Sequence, residues 1–111
     1  MVRVEDYPRL VEDIIRRYGE TKPAYGDVET QLVFDREHGH YQLQYVGWNK
    51  LQRVRGCVLH IDIKDDKIWI QHDGTEVGVA NELIELDVPK HDIVLAFHPP
   101  YKRPYTGFAS N

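Results

Sequence analysis

Cys57 and His60 stand three residues apart. That spacing would suit a thiol and the base or cation that makes it a thiolate. On an unbroken strand, however, residues three apart face opposite sides of the sheet. Cys57 is therefore expected to be a small buried apolar residue. His60 and Asp62 do share a face, as do His38 and His40 if their strand extends that far. Zinc needs about four nitrogen, sulfur or oxygen ligands at fixed geometry. His38-Gly39-His40 falls where a hairpin turn is expected, so these histidines read as surface groups. Asp62, Asp65, Asp66 and Asp73 could hold a metal for hydrolysis. Yet Asp65-Asp66 and Asp73-Gly74 are residues that turns prefer. The chain carries no HExxH, CxxC, GxxxxGK[ST] or GxSxG pattern. No catalytic set, metal site or cofactor site is expected.

The elements that position these residues can be read from periodicity. Tyr7, Leu10, Val11, Ile14, Ile15 and Tyr18 form one apolar helical stripe. Asp6 suits the N-cap, Pro8 the first turn and Gly19 the end. Glu20 to Gly26 reads as a connecting turn. Strands are expected over 28–35 and 40–48, joined by Arg36-Glu37-His38-Gly39. That loop pairs Phe34 with Tyr41 and Leu32 with Leu43, which puts the apolar sets on one face.

Two further strands are expected over 54–63 and 67–72. A two-residue Asp65-Asp66 loop pairs Ile63 with Ile68 and Ile61 with Ile70. Cys57, Leu59, Ile61 and Ile63 then face the core, with Val58, His60, Asp62, Trp69 and Gln71 on the other side. Val54 falls out of phase, which marks Gly56 as a candidate bulge. Thr75 suits the N-cap of a second helix carrying Val79, Ala80, Leu83 and Ile84, although Gly78 weakens it. Pro89 ends that helix. Ile93 to Phe97 reads as a short last strand. The fold class is α+β: a four-stranded antiparallel meander plus a short fifth strand, with two helices packed on one sheet face.

His98 to Asn111 differs in kind. It holds three of the six prolines, with Tyr101, Tyr105, Phe108, Lys102 and Arg103. Proline blocks helix and ladder pairing, so an extended C-terminal arm is expected. Docking is expected over disorder, because a free tail rarely exposes three aromatics. The sheet face away from the helices would carry Gln31, Gln42, Gln44, Trp48, His60, Trp69 and Gln71. Two tryptophans among neutral polar groups resemble an interaction surface, unless the arm or a loop covers them. Partner contacts are expected at Trp48, Trp69, Gln44, Gln71, Tyr101, Arg103 and Tyr105. Self-association through the sheet or the arm is a further expectation.

Composition bounds the function classes. The chain has 111 residues, which fits one domain and excludes a second one with its own cleft. Lys and Arg number 14 against 18 Asp and Glu, a net charge of −4. A general nucleic-acid binder needs a basic footprint instead. Direct DNA contact would require Arg53, Arg55, Lys102 and Arg103 to converge. No apolar run approaches the length of a membrane span, and no signal-peptide h-region opens the chain. A single cysteine fits a reducing cytoplasm.

Several strings carry a resemblance. They include Lys22-Pro23-Ala24-Tyr25-Gly26-Asp27-Val28-Glu29 and Tyr41-Gln42-Leu43-Gln44-Tyr45-Val46-Gly47-Trp48. Arg55-Gly56-Cys57-Val58-Leu59-His60-Ile61-Asp62-Ile63-Lys64-Asp65-Asp66-Lys67-Ile68-Trp69-Ile70-Gln71 follows, then Asp73-Gly74-Thr75-Glu76. Val88 to Pro100 and Arg103 to Ala109 complete the order. Together they resemble the XisI family, the fdxN-element excision controlling factors. The resemblance implies a part in programmed DNA-element excision in heterocyst-forming cyanobacteria. It further implies that a separate site-specific recombinase does the strand chemistry and that an XisH-like protein is the partner. It offers no catalytic residues to transfer. One departure is Asp87, where the family pattern leads one to expect glycine; it puts the geometry of the helix end in question.

Overall fold

A computed structural model describes residues 2–21 and 26–111. The connecting turn expected over Glu20 to Gly26 falls mainly on residues 22–25, outside those described. Helix α1 spans Tyr7–Gly19 and follows a 3₁₀ turn at Val4–Asp6. Strands β1 (Asp27–Asp35), β2 (His40–Asn49), β3 (Gln52–Lys64) and β4 (Lys67–Asp73) come next. Helix α2 (Val79–Glu85), a 3₁₀ turn and β5 (Ile93–Leu95) complete the regular elements before the arm. The sheet order is β1-β2-β3-β4-β5, with four antiparallel strands and β5 parallel to β4. The expected α+β architecture is what forms.

Both hairpin registers follow the sequence. Phe34 pairs with Tyr41 and Leu32 with Leu43. Ile63 pairs with Ile68 and Ile61 with Ile70. Asp65 and Asp66 both have positive φ, 55° and 61°, as a type I′ turn requires. The β2–β3 turn is tighter than expected. Pairing runs on to Asn49 and Gln52, leaving only Lys50-Leu51 as the loop.

The core lies between the inner sheet face and the helices. Tyr7, Leu10, Val11, Ile14 and Ile15 of α1 and Val79 and Leu83 of α2 are buried against Tyr41, Leu43, Leu59, Ile61, Ile68 and Ile70. Each such side chain contributes about 1.5–3 kcal/mol by leaving water. Long-range polar pins lock the helices to the rest. The Tyr7 hydroxyl donates to Asp92 at 2.5 Å, and that of Tyr18 to Glu82 at 2.6 Å. Buried Glu12 accepts from Arg36 at 2.7 Å.

The ends of the elements depart from expectation. Asp6 stands at the N-cap of α1 as expected, but in the αR region and without a side-chain bond to the helix: its carboxylate accepts the Arg3 N–H at 3.0 Å instead. Gly19 does not end the helix in a left-handed turn. It makes room instead, since a Cβ there would sit 2.9 Å from Leu32. Gly78, at φ 91°, is the N-cap of α2, which shortens the helix and removes the glycine from its interior. Thr75 lies upstream of that cap, and Asp73 Oδ2 accepts the Val79 N–H at 2.8 Å. Asp87 takes φ 70°, with Asp87 N–H to Ile84 and Val88 N–H to Leu83 both at 3.0 Å. This is a Schellman end in which aspartate does glycine's work.

β5 stops at Leu95, and Phe97 is half-exposed rather than covered strand. The arm is not extended. It turns, forms a 3₁₀ turn at Arg103–Tyr105 and folds back on the sheet. Ala109 then bridges Val94, with its N–H on the Ile93 carbonyl at 2.9 Å.

Candidate functional site: the outer sheet face

Two bulges decide what the outer face displays. Leu43 pairs with Leu59 but Gln44 with Cys57, so Val58 is an extra residue on β3. His60 pairs with His72 but Ile61 with Ile70, so Gln71 is an extra residue on β4. The first bulge reverses the alternation upstream of it. Val58 turns in and packs against the core, and Cys57 turns out and is exposed. The expectation that Cys57 is buried, with Val58 outside, is thus inverted. The bulge predicted at Gly56 exists two residues later.

The same reversal puts Cys57 on one face with His60 and Asp62, which the parity argument had excluded. The chemistry still does not follow. The Cys57 thiol is directed at the Leu59 carbonyl, 3.1 Å away, and burial pushes its pKa up. A nucleophilic cysteine needs the opposite shift and a base in hydrogen-bond contact. The imidazole of His60 is engaged elsewhere.

Asp62 is the hub of the face. Its Oδ1 meets His60 Nε2 at 3.0 Å and His40 Nδ1 at 2.9 Å, and its Oδ2 accepts from Gln71 at 3.3 Å. Both imidazoles thus bond the same carboxylate oxygen. Among the described residues no three His, Cys, Asp or Glu are arranged to hold a metal ion. Gln44 donates to Gln42 at 2.7 Å, a separate polar pair on β2. His38 instead closes the first hairpin on Asp35, and that hydrogen bond holds the Asp35 carboxyl below its usual range. Sequence reasoning placed His60 with Asp62 but missed His40. His40 reaches Asp62 through the β2–β3 register, which neither of the two expected hairpins fixes.

The seven expected contact residues separate into three groups. Trp69 is 9% exposed. Its indole N–H donates to the Lys64 carbonyl at 3.0 Å. Lys64 Nζ lies 4.4 Å and Arg103 Cζ 5.8 Å from its ring centroids. Trp69 and Arg103 therefore do not offer open area. Arg103 is a clamp that also donates to the carbonyls of His98 at 3.0 Å and Ala96 at 3.3 Å. Gln71 is bonded to Asp62 and Gln44 to Gln42. Trp48, Tyr101 and Tyr105 are exposed, at 50%, 71% and 88%.

Trp48 forms one wall of a groove of about 330 Å³ with Asp27, Glu29, Val46, Gly47 and Arg53. The Arg53 guanidinium stacks 5.3 Å from the Trp48 centroid. The four basic residues do not converge. Arg53 sits at the β2–β3 turn, whereas Arg103 covers Trp69, the partner of Asp62 nine residues further along β3. That separation is roughly 30 Å of strand. No helix among the described residues is long and apolar enough to cross a membrane.

Comparisons with known proteins agree with the architecture. The family model described as XisI protein matches residues 1–110. The crystal structure of a XisI-like protein from Anabaena variabilis ATCC 29413 is 43% identical, with a TM-score of 0.90 over 96% of this chain and 98% of that one. The fdxN element excision controlling factor XisI from the same organism is 30% identical, with a TM-score of 0.84 over 97% and 98%. No curated protein matches. On the extent of the family match, the chain belongs to the XisI family.

Proposed function

We propose that this chain is a non-catalytic accessory factor that controls excision of a DNA element by site-specific recombination. It acts through protein contacts with an XisH-like partner. The solved relative named as an fdxN element excision controlling factor supports the role in excision control. The carrying observation for the mode of action is the outer face: Asp62 engages His40, His60 and Gln71, while Trp48 on β2 and Tyr101 and Tyr105 on the arm stand exposed. Large exposed aromatics and a carboxylate already engaged suit recognition better than proton transfer or nucleophilic attack. The net charge of −4 and the separated arginines favour a partner, rather than this chain, gripping the DNA.

Co-purification with an XisH-like protein tests the proposal. A complex is expected, and Trp48→Ala should weaken it by about 2 kcal/mol, close to thirtyfold in Kd. Absence of any complex, or a complex indifferent to Trp48, Tyr101 and Tyr105, would overturn it.

A further inference from the structure

The two edges of the sheet are finished in different ways, and the unfinished one carries an inference. β1 is an edge strand of nine residues, and its register with β2 runs without a break from Asp27 to Asp35. Proteins usually blunt such an edge with charged side chains, proline, a bulge or a short strand. β1, Asp-Val-Glu-Thr-Gln-Leu-Val-Phe-Asp, has no proline, lysine or bulge and is not short; its carboxylates discourage pairing with an acidic or a like strand but not with a basic one. Among the described residues no segment pairs with its free side. Leu32 and Val33 are 40% and 47% exposed.

Charge selects the occupant. All ionisable groups on β1 are acidic: Asp27, Glu29 and Asp35. A second copy pairing antiparallel about Gln31 would set Asp27 against Asp35, and like charges opposite one another destabilise a ladder. A nucleic acid would bring phosphates to carboxylates. A strand with Lys or Arg at alternate positions would meet Asp27, Glu29 and Asp35 on one face. At the Asp27 end lies the Trp48 groove, whose ring already attracts the Arg53 guanidinium.

We infer that the β1 edge, with the Trp48 groove beside it, docks an extended Lys/Arg-bearing strand of a protein partner. The strand adds to the sheet through main-chain hydrogen bonds, and its basic side chains set specificity. This rests on the reading of the chain as a partner-binding factor.

The test uses the full chain with two synthetic peptides, one alternating lysine and valine and one alternating glutamate and valine. The basic peptide should slow amide exchange across Asp27–Asp35 and shift the fluorescence of Trp48, and its affinity should fall as salt rises. The acidic peptide should do neither. The double substitution Asp27→Lys with Glu29→Lys should weaken the basic peptide at least about tenfold and favour the acidic one. Equal binding of both peptides, salt-independent binding, or unchanged β1 exchange would overturn the inference. So would a dimer in sedimentation that protects β1. If an XisH-like protein binds through Trp48 while β1 amides exchange as in the free chain, this inference fails alone. If no partner binds while the basic peptide still protects β1, the reading of function fails instead.

Discussion

At the β5 edge the chain closes its own sheet, whereas among the described residues no segment pairs with the β1 edge. The arm wraps β5 from one face to the other. Arg103 lies over Trp69 on the outer face, Ala109 bonds to Ile93 at the edge, and Phe108 packs with the inner core. β1 presents nine residues of open ladder and three carboxylates. Each edge has a tryptophan nearby, and their fates differ for the same reason. Trp69 has the arm's Arg103 above it, whereas Trp48, half-exposed, has Arg53 stacked on its ring.

Substitution of the two tryptophans is the strongest way to break this contrast. Trp69→Ala should cost about 3–5 kcal/mol in urea unfolding, because a buried ring and its covering contacts are lost. Trp48→Ala should change stability by no more than about 0.5 kcal/mol. Equal costs would mean that the two rings are equivalent after all. Next in size is Arg103→Ala, expected to cost about 2 kcal/mol by losing two carbonyl partners and the stack on Trp69. Amide exchange at Ala109 should then quicken while β1 amides stay unchanged.

Tyr7→Phe probes how the β5 side is held from within, since Asp92 immediately precedes β5. Loss of that hydrogen bond should cost about 1–2 kcal/mol. Burial, and then the bond to Asp92, raise the Tyr7 hydroxyl pKa above its ordinary value of 10.0. A raised folded pKa means the contribution is whole below pH about 10 and is lost as pH climbs towards the folded value. Unfolding midpoints between pH 8 and 11 should therefore fall more steeply in the natural chain than in Tyr7→Phe. The smallest effect is expected for Val33→Lys on the open edge, within about 0.5 kcal/mol. A large loss there would show that the β1 edge is covered.

The fold was largely legible because its signals are local. The stripe Tyr7 to Tyr18, the four-residue loop ending in Gly39 and the Asp65-Asp66 turn each specify geometry over a few residues. The outer face was less legible. Extrapolating strict alternation along β3 put Cys57 inside and Val58 outside, and one extra residue reversed both. Val54 out of phase was the trace of that bulge, but it could not say which residue is extra. Trp69 was assigned correctly to the outer face, and of the two readings left open for it, contact surface or cover by the arm, the second holds: Arg103, 34 positions downstream, lies over its ring.

By itself, then, the sequence determined the order of elements, both hairpin registers, the acidic balance and the family strings. These follow from backbone preferences, side-chain alternation and residue identity, all set between near neighbours. Only tertiary structure decided which tryptophan is exposed, that Arg103 stacks on Trp69 and bonds the His98 and Ala96 carbonyls, that His40 joins His60 on Asp62, and which sheet edge the arm closes. Each depends on segments distant in sequence meeting at one place, where burial and pairing replace contact with water.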